Sequence, residues 1–207
     1  MRIGLVLAAV ALSFLVRAQA PSVEAASSER PRLSAAQLEA TFAFGPATGQ
    51  VDRDLILRAV AAADPQARRL IERIDGITRI DIGATPTGAA GVTRGAGDHF
   101  EIVLDLGGVY RQLGTRGVSR LVLHELGHVV DHALVPEAMR AELDAGIPPG
   151  LPCAAGTRQG SCAPRAERFA ESFAKWAMND IGVALYIGYA VPPPGDLRAW
   201  ALPLLTI

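Results

Sequence analysis

Lysine is almost missing from this chain of 207 residues: of 20 basic side chains only Lys175 is one, and the formal net charge is −1. No basic run is interleaved with aromatics, so nucleic acid is not an expected partner. Cysteine is nearly as scarce, with Cys153 and Cys162 alone, too few for a disulfide-built scaffold. Long hydrophobic runs are missing too, except at the start. There Met1-Arg2 precedes an unbroken apolar stretch, Ile3–Val16, and the small-x-small pattern Ala18-Gln19-Ala20. A run that short fits a secretory leader better than a membrane span, with cleavage after Ala20 or as late as Ala25 or Ala26. The expected location is therefore secreted, periplasmic or cell-surface, with no stable membrane span after cleavage. In an oxidising compartment a Cys153–Cys162 bridge is expected, worth roughly 2–3 kcal/mol in the chain-entropy model. What is present is ordinary: half the residues are apolar and a fifth charged, enough for one globular domain.

Within that domain one stretch stands out, Leu121–Asp131, containing His124-Glu125-Leu126-Gly127-His128. Residues four apart on an α-helix point the same way, so His124 and His128 can converge on one tetrahedral Zn²⁺. Glu125 falls at the edge of that face, placed to take a proton from a water there without ligating the metal. The flanking Val118, Leu121, Val122, Leu126, Val129, Val130 and Leu134 predict a helix buried through the domain. His132 is a poor third ligand. It lies about 12 Å along the axis from His124, beyond reach of one ion. A second helix, Arg165–Phe173 at least, carries Glu167 and Glu171 on one face and Phe169, Phe173 and Trp176 on another. The two carboxylates either face a zinc and its histidines or form a solvated face with Arg165 and Arg168.

Around these two helices the chain reads in order. Residues 21–50 are a loose N-terminal segment holding a short helix over Ala35–Phe42 capped by Ser34. The domain proper runs over 51–207, with Asp52 capping Arg53–Ala63 and Asp64-Pro65 starting a helix that runs to Gly76. Ile80–Ile82 predicts a short strand, Gly83–Asp98 a loop, and His99–Leu106 a half-buried strand by its alternation. That last strand is either the edge along which an extended peptide adds itself or a plain sheet strand. Gly107-Gly108 ends it, and Thr115 or Ser119 opens the metal helix. The tail from Ile181 onward is expected to pack back on the core.

The segment HELGHVVDH followed by ERFAESF resembles the zinc-peptidase domain of anthrax toxin lethal factor and its relatives, including secreted Pro-Pro endopeptidases. The match covers roughly Leu121–Trp176. The resemblance implies an α+β, zincin-like fold: a small twisted sheet, an active-site helix and a second ligand-bearing helix. It implies His124, His128 and Glu167 as zinc ligands, Glu125 as general base, Glu171 holding a ligand histidine, and Asp131 as a structural partner. Asp131 and Leu134 stand where metzincins carry a glycine turn and a later histidine, which excludes that class. The family's oxyanion-stabilising tyrosine falls at Gly160 here, so Tyr110, Tyr186, Tyr189 or Arg158 would have to supply that donor. The expected activity is a secreted, monomeric zinc metalloendopeptidase, a hydrolase binding one Zn²⁺ and acting on peptide or protein substrates. The alternative is a zinc-binding, toxin-associated interaction module with little or no turnover.

Overall fold

Aspartate side chains cap the starts of three helices, at Asp64, Asp105 and Asp196. The computed structural model describes residues 42–85, 88–150, 163–180, 185 and 187–207, all within the single unit Arg32–Ile207. The segment expected to be a leader, most of the expected Ala35–Phe42 helix, the cysteine pair, Arg158 and Tyr186 lie outside the described residues. The first helix, α1 (Gln50–Ala62), starts two residues before the predicted cap: Gly49 is its N-cap, and Asp52 sits in the first turn. There the carboxylate still complements the helix dipole. α2 (Pro65–Glu72) begins as expected, with the Asp64 side chain accepting from the Gln66 N–H and Pro65 in the first turn. It ends earlier than Gly76; residues Asp75–Ile77 tighten into a 3₁₀ turn.

The sheet has four strands in the order β1-β2-β4-β3: β1 (Ala43–Phe44), β2 (Thr78–Ile82), β3 (Gly91–Ala96) and β4 (His99–Leu104). β1 pairs parallel with β2, so part of the segment read as loose supplies an edge strand, next to the buried Phe42. β2 also pairs parallel with β4, while β3 and β4 form an antiparallel hairpin. Two expectations change here. The loop Gly83–Asp98 contains a strand, β3, closed onto β4 by Gly97-Asp98. β4 is then an interior strand, and among the described strands β3 is the edge on that side. Phe100, Ile102 and Leu104 point into the core as their alternation predicts.

The helix that follows, α3 (Leu106–Leu134), opens earlier than Thr115 because Asp105 caps it, accepting from the Gly108 N–H at 3.0 Å. Gly107 and Gly108 lie in its first turn. Gly114, with φ 64° and ψ −162°, breaks the helix into two pieces. An L side chain rarely tolerates that conformation, and glycine adopts it freely. Beyond the break, every residue from Arg120 to Asp131 is buried. α4 (Glu137–Ala145) follows Pro136, and α5 (Arg165–Met178) packs along α3.

Phe169, Phe173 and Trp176 form the apolar stripe of α5, with the Phe169 and Phe173 rings 6.2 Å apart. Each buried side chain of this size contributes about 1.5–3 kcal/mol by leaving water. The tail does return to the core. In α6 (Leu197–Ala201) Trp200 lies 5.8 Å from the Phe169 ring and donates from Nε1 to the Leu143 carbonyl at 3.0 Å. The molecule is thus α+β, mostly helical with a small mixed sheet. Among the described residues no helix is long and apolar enough to cross a membrane.

Candidate metal centre

One turn of helix separates His124 from His128, and their rings meet edge to face with centroids 4.9 Å apart. Both are buried on the inner face of α3. From the first turn of α5, Glu167 reaches across: its Oε2 is 3.2 Å from His124 Nε2 and its Oε1 3.5 Å from His128 Nε2. One ligand atom from each of the three residues fits within 4.8 Å of the others. Two imidazole nitrogens and a carboxylate oxygen facing one point are the donor set of an open, catalytic-type zinc site. These three residues could hold a metal ion. The solvated-face alternative for the two glutamates does not hold, since Glu171 is 1 % exposed and turned to His124.

Glu171 Oε2 lies 3.3 Å from His124 Nδ1, on the side of the ring away from Glu167. A carboxylate there fixes which nitrogen carries the proton and leaves Nε2 for a metal. Without a metal, both ring nitrogens face carboxylates. Burial works against charge on His124, yet the hydrogen bonds to Glu167 and Glu171 outweigh it and raise its pKa to about 10. Burial and the neighbouring His124 push His128 down to about 3. Burial would lift Glu167, but its bond to His124 keeps it below the usual carboxylate range. The carboxylates of Glu167 and Glu171 thus favour the protonated form of His124, and burial favours the neutral form of His128.

Glu125 is presented differently. Its Oε2 accepts from Thr93 Oγ1 at 2.7 Å, and the same hydroxyl lies 3.2 Å from the Glu125 carbonyl. Thr93 belongs to β3, so the sheet edge itself orients the carboxylate. Burial raises the Glu125 pKa, opposed by the charge on His124 and by the Thr93 bond. Such a shift suits a group that must both take and return a proton. Gly91 makes room for it: a Cβ there would stand 2.4 Å from Glu125 Oε1. The strand that sequence reasoning left as loop is thus part of the site. Its signal was the Gly97-Asp98 dipeptide, a two-residue hairpin turn before the plain alternation of β4.

The three groups open into a cleft of about 460 Å³, within the range of small-molecule sites. One wall is β3; the other includes Ile187, Gly188 and Tyr189. Of the tyrosines considered as oxyanion donors, Tyr189 lines this cleft. Tyr110 does not: it lies in the first piece of α3, 51 % exposed. Exposed His132 reaches the cleft rim but does not join the ligand group. Asp131 pairs with arginines, Arg165 and Arg140. It is wholly buried and takes two bonds from Arg165, at 3.0 and 2.5 Å, clamping the start of α5 to α3.

Sequence reasoning missed a second buried charged group behind the site. Arg120, Glu171, Lys175 and Asp180 are all buried. Arg120 Nη2 donates to Asp180 Oδ2 at 2.9 Å, and Lys175 Nζ pairs with Glu171 Oε1 at 3.0 Å. Burial lowers the pKa of both cations, while the neighbouring carboxylates oppose that shift. The available signal was Lys175 itself, one turn after Glu171 on an otherwise apolar face.

Comparison of the chain with protein-family models, with curated proteins and with solved structures finds no match in any of the three.

Proposed function

We propose that this protein is an exported zinc endopeptidase of zincin-like fold. The observation that carries the reading is the convergence of His124, His128 and Glu167 beside a buried Glu125 that hydrogen-bonds to a sheet-edge strand. A zinc ion held by the three ligands would polarise the scissile carbonyl and lower the pKa of an adjacent water to about 7. Glu125 accepts the proton of the attacking water and returns it to the leaving amine. Thr93 holds that carboxylate in place. Tyr189 lines the cleft and is the described tyrosine assigned here as donor to the developing oxyanion. The outer edge of β3, unpaired among the described residues, would give an extended peptide a strand to pair with. The leader-like segment Met1–Ala20 supports export.

Metal analysis of the purified protein and a broad peptide-library digest, with and without a chelator, test the proposal together. The expected result is one zinc per chain and chelator-sensitive cleavage of internal peptide bonds. One zinc per chain with no cleavage of any library member replaces the peptidase reading with a zinc-binding module. Absence of stoichiometric zinc overturns both.

A further inference from the structure

Lys175 occupies an unusual position for the chain's one lysine. Its side chain is 2 % exposed, its ammonium lies 3.0 Å from Glu171 Oε1, and it also donates to the Val191 carbonyl. Glu171 faces two ways. Oε1 meets Lys175, with Arg120 Nη1 at 3.9 Å, while Oε2 meets His124 Nδ1 at 3.3 Å. Val191 lies two residues beyond Tyr189, in the segment that walls the cleft opposite β3. A continuous polar path therefore runs from the cleft wall through Lys175 and Glu171 to a ligand ring. Arg120 is committed elsewhere, to Asp180 at 2.9 Å, so Lys175 is the cation in closest contact with Glu171.

We propose that Lys175 is a positioning residue: it orients Glu171 toward His124 and anchors the cleft wall at Val191, setting the metal affinity of the site. The inference rests on the metal-centre part of the reading above and goes beyond it. The physical argument is directional. A carboxylate has two oxygens and can rotate. An ammonium ion-paired with one oxygen and hydrogen-bonded to a backbone carbonyl restricts that freedom. His124 then presents one nitrogen toward Glu167, and losing partners of this kind typically weakens metal binding tenfold or more. In water a lysine could not hold such an orientation, because its ammonium is strongly hydrated and its stem flexible. Burial makes the contact persistent.

The test is a double-mutant cycle on zinc affinity, measured by competition with a chromophoric chelator, and on the visible spectrum of the cobalt-loaded protein. K175M is expected to weaken zinc binding about tenfold and to shift the cobalt bands. In an E171Q background the same change should move affinity less than about twofold, because the oxygen through which Lys175 acts is already altered. If K175M alone does not fold, the E171Q/K175M pair, which leaves no unpaired carboxylate, is measured against E171Q, and a weakening of zinc binding beyond about twofold between them overturns the proposal. Two results overturn the proposal: parental affinity and spectrum in K175M, or equal weakening with and without Glu171. A merely structural lysine would lower the melting temperature and leave both metal readouts of the folded protein unmoved. Loss of the peptidase reading through absent cleavage would leave these measurements intact, so the two failures are distinguishable.

Discussion

Glu125 and Asp131 are carboxylates on the same buried stretch of α3, six residues apart, yet their surroundings differ. Asp131 is saturated. Arg165 approaches both of its oxygens and Arg140 stands 3.5 Å from one, so its charge is spent on holding helices together. Glu125 has a neutral hydroxyl, Thr93, and the ligand histidines for company, in a cleft open to a substrate. Burial raises its pKa, in keeping with the proton-exchange role proposed for it. A fully paired buried carboxylate serves the fold; an incompletely paired one beside a cleft is the candidate for chemistry.

That contrast breaks or sharpens under substitution. E125Q should cut peptide hydrolysis by roughly a thousandfold, the scale of general-base loss, with zinc content and melting temperature unchanged. Cleavage at the parental rate would remove Glu125 from the chemistry. D131N should do the reverse, costing about 3 kcal/mol in a denaturant titration because Arg165 loses a buried partner. The lower end of the usual range applies, since the Arg165 side chain is about a third exposed. Unchanged stability in D131N would erase the distinction.

Next comes G91A. Its new Cβ would lie 2.4 Å from Glu125 Oε1, so the base or the strand must shift. A misplacement of this order costs about a hundredfold in rate, and steady-state kinetics with retained zinc would show it. Metal uptake should also depend on pH in one direction. His124 in the metal-free protein holds its proton up to a pKa of about 10, and zinc must displace it. Affinity should therefore rise about tenfold per pH unit from pH 7 toward 10, and level off above. A pH-independent dissociation constant contradicts the arrangement of two carboxylates around that ring. The smallest effect belongs to T93V, which removes one hydrogen bond to Glu125 at about 1 kcal/mol, a severalfold loss in rate.

How much of this was legible in advance follows from range. The pair His124 and His128 is local: helical periodicity alone brings the rings together. The Asp64 cap, the alternation of β4 and the stripe Phe169–Phe173–Trp176 are equally local. β3 was legible only through its Gly97-Asp98 turn, because Gly91, Thr93, Arg94 and Gly95 show no apolar alternation. It is a strand through its pairing with β4 and through the carboxylate it supports. The early start of α3 was not legible, since a single Asp105 cap overrides the glycine pair that looked like a strand break.

By itself the sequence determined the ligand-bearing helix, its apolar surroundings and a second helix with two glutamates in register, since each is a repeat within a few residues. Tertiary structure alone decided that Glu167 faces both histidines, that the sheet edge orients Glu125, and that Lys175 stands behind Glu171. Those are contacts between segments distant along the chain, and only the packing of α5 and β3 against α3 brings their side chains within hydrogen-bonding distance.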